Sequence, residues 1–158
     1  ALRPARDADL PRLLELYADV RADELARVAW PDSVKRAFLA DQFALQHRHY
    51  LAHYADAWFL AIEQAGELQG RYYLQRGQDA DLVVDISLFA GHRGRGLGRA
   101  LLEASQREAA AEGRGMTLHV FKGNPDALRL YQRLGFVIRP GGGSDTHHRM
   151  DWPASPAS

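Results

Sequence analysis

The chain has 158 residues, 46% of them hydrophobic, which suffices for a packed core and predicts one domain over residues 1–152 with a frayed tail at 153–158. Its 20 Lys and Arg balance 20 Asp and Glu, so a broad basic face for nucleic acid is not expected, and the absence of cysteine removes disulfides, thiolate metal sites and a cysteine nucleophile together. No apolar run is long enough for a membrane span and the first residues lack the apolar core of a signal peptide, so a cytoplasmic protein without a membrane partner is expected.

Leu2–Pro4 reads as a short edge strand. Leu10, Leu13, Leu14, Tyr17 and Val20 then recur at the spacing of one helical face, with Pro11 in the first turn where its missing N–H costs little. Trp30-Pro31-Asp32-Ser33 breaks the chain, and a second helix is predicted from Val34 to about Tyr54. Ala57–Glu63 and Leu68–Arg76 read as hairpin strands around Gly66. Leu82–Phe89 (LVVDISLF) is predicted to be a largely buried strand. A glycine-rich turn opens an amphipathic helix with Leu97, Ala100, Leu101, Ala104 and Ala111 on one side. Met116–Phe121 alternates as a strand. Asn124-Pro125-Asp126 begins a helix carrying Leu128, Leu130, Tyr131 and Leu134, stopped by Gly135. Phe136–Pro140 and His147–Trp152 read as strands joined by a flexible Gly-Gly-Gly-Ser-Asp turn. The order is β-α-α-β-β-β-α-β-α-β-β. The strand–helix–strand crossover from Leu82 to Phe121 requires a parallel pair, and the front strands should pair antiparallel.

The informative stretch is Arg93-Gly94-Arg95-Gly96-Leu97-Gly98-Arg99. Between a strand and a helix it aims backbone N–H groups and a positive helix end at one point, and three arginines add charge suited to a ligand with more than one phosphate. A dinucleotide fingerprint fails because Arg99 stands where its third glycine belongs. A P-loop fails because Leu97 and Gly98 stand in place of Lys and Ser or Thr. The plain alternative is a tight connection with no ligand.

Arg93-x-x-Gly96-x-Gly98 resembles the pyrophosphate-binding motif of the GNAT (GCN5-related) N-acetyltransferases. Val84–Phe89 resembles their fourth strand. Asn124-x-x-Ala127-x-x-x-Tyr131-x-x-x-Gly135-Phe136 resembles their second motif in full. The resemblance is strong over Leu82–Val137. The front half resembles a bacterial subgroup through Phe43, Tyr50 and the Gly70-Arg71 pair. It departs at Ala90-Gly91-His92, and at Phe121-Lys122-Gly123, where other members often carry an acidic residue. The implied fold is α/β, a mixed, mostly antiparallel sheet flanked by helices, with a central parallel βαβ unit splayed to hold the cofactor. The implied activity moves the acetyl group of acetyl-CoA to an amine of a small molecule or peptide, by direct attack in a ternary complex, without a metal, in a monomer or homodimer. A non-catalytic acyl-CoA-binding sensor is the rival.

The same resemblance implies that Leu88, Phe89, Arg93, Gly94, Arg95, Gly96, Leu97, Gly98, Arg99, Asn124 and Tyr131 hold the cofactor, with Tyr131 also protonating the departing thiolate. The plain alternative for Tyr131 is a core aromatic, and Asn124 reads equally as a helix cap. Asp85, inside an apolar strand, has two readings. It is a candidate base or ammonium ligand, mildly favouring a cationic acceptor, or it is the structural partner of a buried arginine such as Arg71. His49 and His53 have the spacing of a helical zinc pair, but no third ligand follows, and surface or cleft histidines are expected instead.

Overall fold

The apolar spacing from Leu10 onward forms helix α1 (Leu10–Val20) in the computed structural model, which describes residues 1–153. The last part of the expected tail, 154–158, lies outside the described residues. In chain order the elements are β1 (Leu2–Pro4), α1, α2 (Ala22–Ala26), α3 (Asp32–His53), β2 (Trp58–Gln64), β3 (Glu67–Gln75), β4 (Ala80–Leu88), α4 (Leu97–Ala111), β5 (Gly115–Phe121), α5 (Pro125–Arg133), β6 (Val137–Ile138) and β7 (His147–Trp152). The one-turn α2 was not anticipated, because five residues are too few to show a helical period.

The strands hydrogen-bond in the order β1-β2-β3-β4-β5-β7-β6. β4 and β5 are parallel, with Ala80, Asp81 and Leu82 opposite Gly115, Met116 and Thr117, as the α4 crossover demands. β1 with β2, β5 with β7 and β6 with β7 are antiparallel. The result is the mixed α/β sheet with flanking helices that the sequence predicts. No helix among the described residues is long and apolar enough to cross a membrane.

The chain packs as two compact units, Ala1–Tyr73 with Asp85–Arg93, and Leu74–Val84 with the residues from Gly94 onward. In the first, Leu13 and Leu16 of α1 pack with Phe43, Ala61 and Leu68. Arg3 ties β1 down by ion pairs to Asp9 (2.8 Å) and Glu63. Gly70 of β3 lies so close to β4 that an added Cβ would overlap the Ser87 carbonyl and come within 2.8 Å of Leu88 Cδ2.

In the second unit, Leu102, Met116, Leu118, Phe136 and Met150 are almost fully buried. Asp81 is buried as well and is held by Arg114 at 2.8 Å. Two expectations need correction. α4 buries Leu102, Ser105, Gln106 and Ala109, whereas Ala100 and Ala111 are exposed. Alanine is too weakly apolar to orient a helix, and Gln106 is satisfied in the interior by donating Nε2 to the Leu134 carbonyl at 2.9 Å. β4 is half-buried from Val84 onward rather than largely buried. The Gly-Gly-Gly-Ser-Asp run is a hydrogen-bonded turn, with Gly142 N–H on the Arg139 carbonyl (3.2 Å) and Ser144 N–H on the His147 carbonyl (2.9 Å).

Gly70→Ala should destabilise the fold by about 1–3 kcal/mol through overpacking of β3 against β4. A lower urea midpoint at unchanged slope is the expected readout, and a midpoint equal to wild type would show that the strands part without cost.

Candidate functional site

The turn before α4 is built on glycine. Gly94 (φ 75°) and Gly96 (φ 80°, ψ 2°) are left-handed, a region closed to most side chains. Gly96 is the N-cap, and no side chain caps the helix. The Gly96 carbonyl accepts from Ala100 N–H at 3.0 Å, so the N–H groups of Leu97, Gly98 and Arg99 lie in the first turn, beyond the reach of intrahelical carbonyls. A Cβ placed on Gly91, Gly94 or Gly96 meets no atom within 4 Å. A ligand phosphate therefore has room against bare backbone, at the positive end of a 15-residue helix.

The three arginines are not equivalent. Arg93 donates Nε to the Leu88 carbonyl (3.0 Å) and Nη2 to Asp19 Oδ2 (3.0 Å), and the same oxygen accepts from Ala90 N–H at 2.8 Å. Arg99 pairs with Glu103 at 2.7 Å, one helical turn on. Arg95 has no ion-pair partner among the described residues.

Asp85 sits in a network confined to the first unit. Its Oδ2 accepts from Arg71 Nη2 and Tyr50 OH, both at 2.8 Å, and its Oδ1 accepts from Ser87 Oγ at 2.6 Å. Arg71 Nη2 also donates to Gln46 Oε1 at 2.7 Å. Arg71 is 4% exposed, with Nε buried and unpartnered, and its guanidinium carbon lies 5.2 Å from the Tyr73 ring centre. Burial, and then the Asp85 charge, push the Tyr50 phenol well above the usual range, so it remains a donor. Burial, again the largest cause, raises Tyr73 too. The pairing of Asp85 with Arg71, one of the two readings of this carboxylate, is thus present in the fold.

On α5, Asn124 caps the helix by accepting from Ala127 N–H at 3.2 Å, and Pro125 follows at the first helical position. Tyr131 is buried and meets Phe136 edge-on at 6.1 Å. Leu88 lies at the end of β4. Phe89 donates its N–H to Gln69 at 3.0 Å, and its ring sits 4.0 Å under the Arg12 guanidinium. Asp85, Leu88, Phe89 and Arg93 therefore belong to the first unit, and Gly94–Arg99, Asn124 and Tyr131 to the second. The His49 and His53 rings lie 4.2 Å apart, and among the described residues no three His, Asp or Glu side chains gather as a metal site.

The model of the acetyltransferase (GNAT) family matches residues 13–136. The chain belongs to the GNAT acetyltransferase family. It is 31% identical over 91 residues to an N-alpha-acetyltransferase 40 from Saccharomyces cerevisiae, covering 52% of this chain and 32% of that protein. It is 34% identical over 89 residues to a 5-NmdU N-acetyltransferase of Pseudomonas phage PaMx11, covering 55% and 62%. The matches thus span less than two thirds of these relatives. The PaiA N-acetyltransferase of Thermoplasma acidophilum, solved with coenzyme A, shares the fold at a TM-score of 0.72 and 16% identity, over 97% of this chain and 98% of that one.

Within this GNAT chain, the turn opens α4, Asn124 caps α5 and Tyr131 lies on it, where the sequence reading puts them. That reading missed Tyr50 as an Asp85 donor and Asp19 as the Arg93 partner. Tyr50 carried a signal, since Gly70-Arg71 and Tyr50 were both singled out in the front half. Asp19 carried none, because it lies 74 residues from Arg93.

Asp85→Asn should lower stability by about 3–5 kcal/mol, because Arg71 then stays buried without its counter-ion; chemical denaturation measures this. Above pH ~10 unfolded tyrosines ionise while Tyr50 stays protonated in the fold, so stability should fall as pH rises from there. Tyr50→Phe should flatten that alkaline limb.

Proposed function

We propose that this chain moves the acetyl group of acetyl-CoA to an amine by direct attack in a ternary complex. The observation that carries the reading is the uncapped, side-chain-free turn at the head of α4, set in a chain whose residues 13–136 match the GNAT model. The fit is physical. Glycines leave space where side chains would stand, and the first-turn N–H groups are donors suited to phosphate oxygens. Leu97, Gly98 and Arg99 hold the pyrophosphate through the main chain. Arg95 supplies the uncommitted positive charge. Arg93, braced by Asp19 and the Leu88 carbonyl, holds the strand end that leads into the turn.

When bound, acetyl-CoA supplies the acetyl group as a thioester. Tyr131 holds a proton at its hydroxyl for the departing sulfur, which lowers the cost of expelling a thiolate. Asn124 fixes the start of the Tyr131 helix through its cap. Asp85 takes the structural role of its two: its charge is met by Arg71, and both of its oxygens already accept hydrogen bonds. The acceptor amine must lose its proton to attack, and a path to water meets that need without a dedicated side chain.

Coenzyme A at 100 times its Kd should stabilise the protein by about 2.7 kcal/mol, seen as a raised Tm, with NAD and ATP giving much less. Thiol release over a panel of amines then separates an enzyme from a non-catalytic acyl-CoA-binding sensor, which would bind without releasing thiol. Tyr131→Phe should slow turnover about a hundredfold with little change in coenzyme A affinity. Loss of affinity at normal turnover per bound complex would remove Tyr131 from the protonation role.

A further inference from the structure

One departure from the family pattern, Lys122 before Asn124, finds no use in the reading above. It lines a cavity of about 310 Å³ on the second unit, at the connection between β6 and β7. Arg139, His147, His148 and Arg149 share the lining, with Asp145 as its carboxylate. Asp151, set back on β7, is shared by two guanidiniums, Arg139 Nε at 3.1 Å and Arg149 Nε at 3.1 Å. Lys122 has no ion-pair partner among the described residues. Three permanent cations thus stand against two carboxylates; of the two lining histidines, neighbours on β7 whose side chains alternate in direction, His147 has its Nδ1 2.8 Å from Thr146 Oγ1.

The walls are fixed rather than draped. Lys122 N–H donates to the Thr146 carbonyl at 2.8 Å, extending the β5–β7 ladder in which Phe121 faces His147. Arg139 N–H donates to the Arg149 carbonyl at 2.9 Å. A Cβ on Gly142 would come within 2.7 Å of Arg149 Cδ, so the turn lies hard against the strand.

We propose that this cavity binds an oxyanion, a carboxylate or phosphate group, and that the group belongs to the acceptor amine. An oxyanion is the ligand chemistry that ammonium and guanidinium groups recognise, and Lys122, Arg139 and Arg149 all line the cavity. The acceptor class that follows is an amine carrying an acidic group. This replaces the preference for a cationic acceptor, which rested on Asp85, whose charge is met by Arg71. The anion site stands on the cavity alone; its assignment to the acceptor rests on the acetyl-transfer reading.

The test is an amide NMR titration of the full chain with inorganic phosphate, and with acetate in a parallel arm to tell phosphate from carboxylate recognition. Amides of Gly141–His148 should shift saturably. Lys122→Ala should weaken this binding about fivefold, and Lys122→Arg should restore it. Shifts confined to Gly94–Arg99, or a Lys122→Ala titration equal to wild type, would overturn the site while leaving the acetyl-CoA reading intact. In thiol-release assays on matched amines with and without a carboxylate or phosphate, wild type should favour the acidic amine in kcat/KM, and Lys122→Ala should erase that ratio. An unchanged ratio with loop binding intact would overturn the assignment to the acceptor.

Discussion

A single carboxylate organises the first unit. Asp85 of β4 accepts hydrogen bonds from β3 through Arg71, from α3 through Tyr50 and from its own strand through Ser87. Removing an ion pair from water is costly, and the cost is offset only when the remaining lone pairs and protons are also satisfied. Here three donors converge on two oxygens and Gln46 takes a further proton of Arg71, leaving Arg71 Nε as the one buried group of the clamp without a partner. Gly70 is the steric half of the same arrangement. Its bare backbone lets β3 close on Ser87 and Leu88, and the next residue, Arg71, then reaches Asp85. The clamp holds the strand just before the chain turns through Phe89 and Arg93 toward the glycines.

That sequence of events along the chain explains the division of labour among the arginines. Arg93 spends its guanidinium on Leu88 and Asp19, and so fixes where β4 ends. Arg99 is matched by Glu103 within its own helix. What distinguishes the turn is less its arginine content than the uncapped N–H groups and the empty space beside Gly94 and Gly96. Backbone donors carry no rotamer entropy to lose on binding, whereas an exposed guanidinium must be immobilised to contribute.

The elements that were legible in the sequence are those whose signal is local. The Leu10–Tyr17 spacing, the Asn124-Pro125 start and the His147–Trp152 alternation each lie within one element, and their bounds agree with the fold. The site motifs were legible for the same reason, since each is a few residues on one turn or one helix. What failed was long-range or counter to hydropathy. The buried face of α4 carries Ser105 and Gln106 and leaves Ala100 and Ala111 outside, which a scale of side-chain apolarity reverses. The Asp19 contact and the cavity behind Lys122 are made by residues far apart in the chain, and nothing in either neighbourhood announces the other. Asp85 was legible as a charge in an apolar strand, but two of its three donors, Tyr50 and Ser87, were not.

The inward turn of Gln106 has a mechanical side. Its amide joins the middle of α4 to the carbonyl of Leu134, the residue that closes α5, so one rod begins at the glycine turn and the other carries Tyr131. The two rods are tied by a direct hydrogen bond. The link bypasses β5, the one strand between the two rods in the chain.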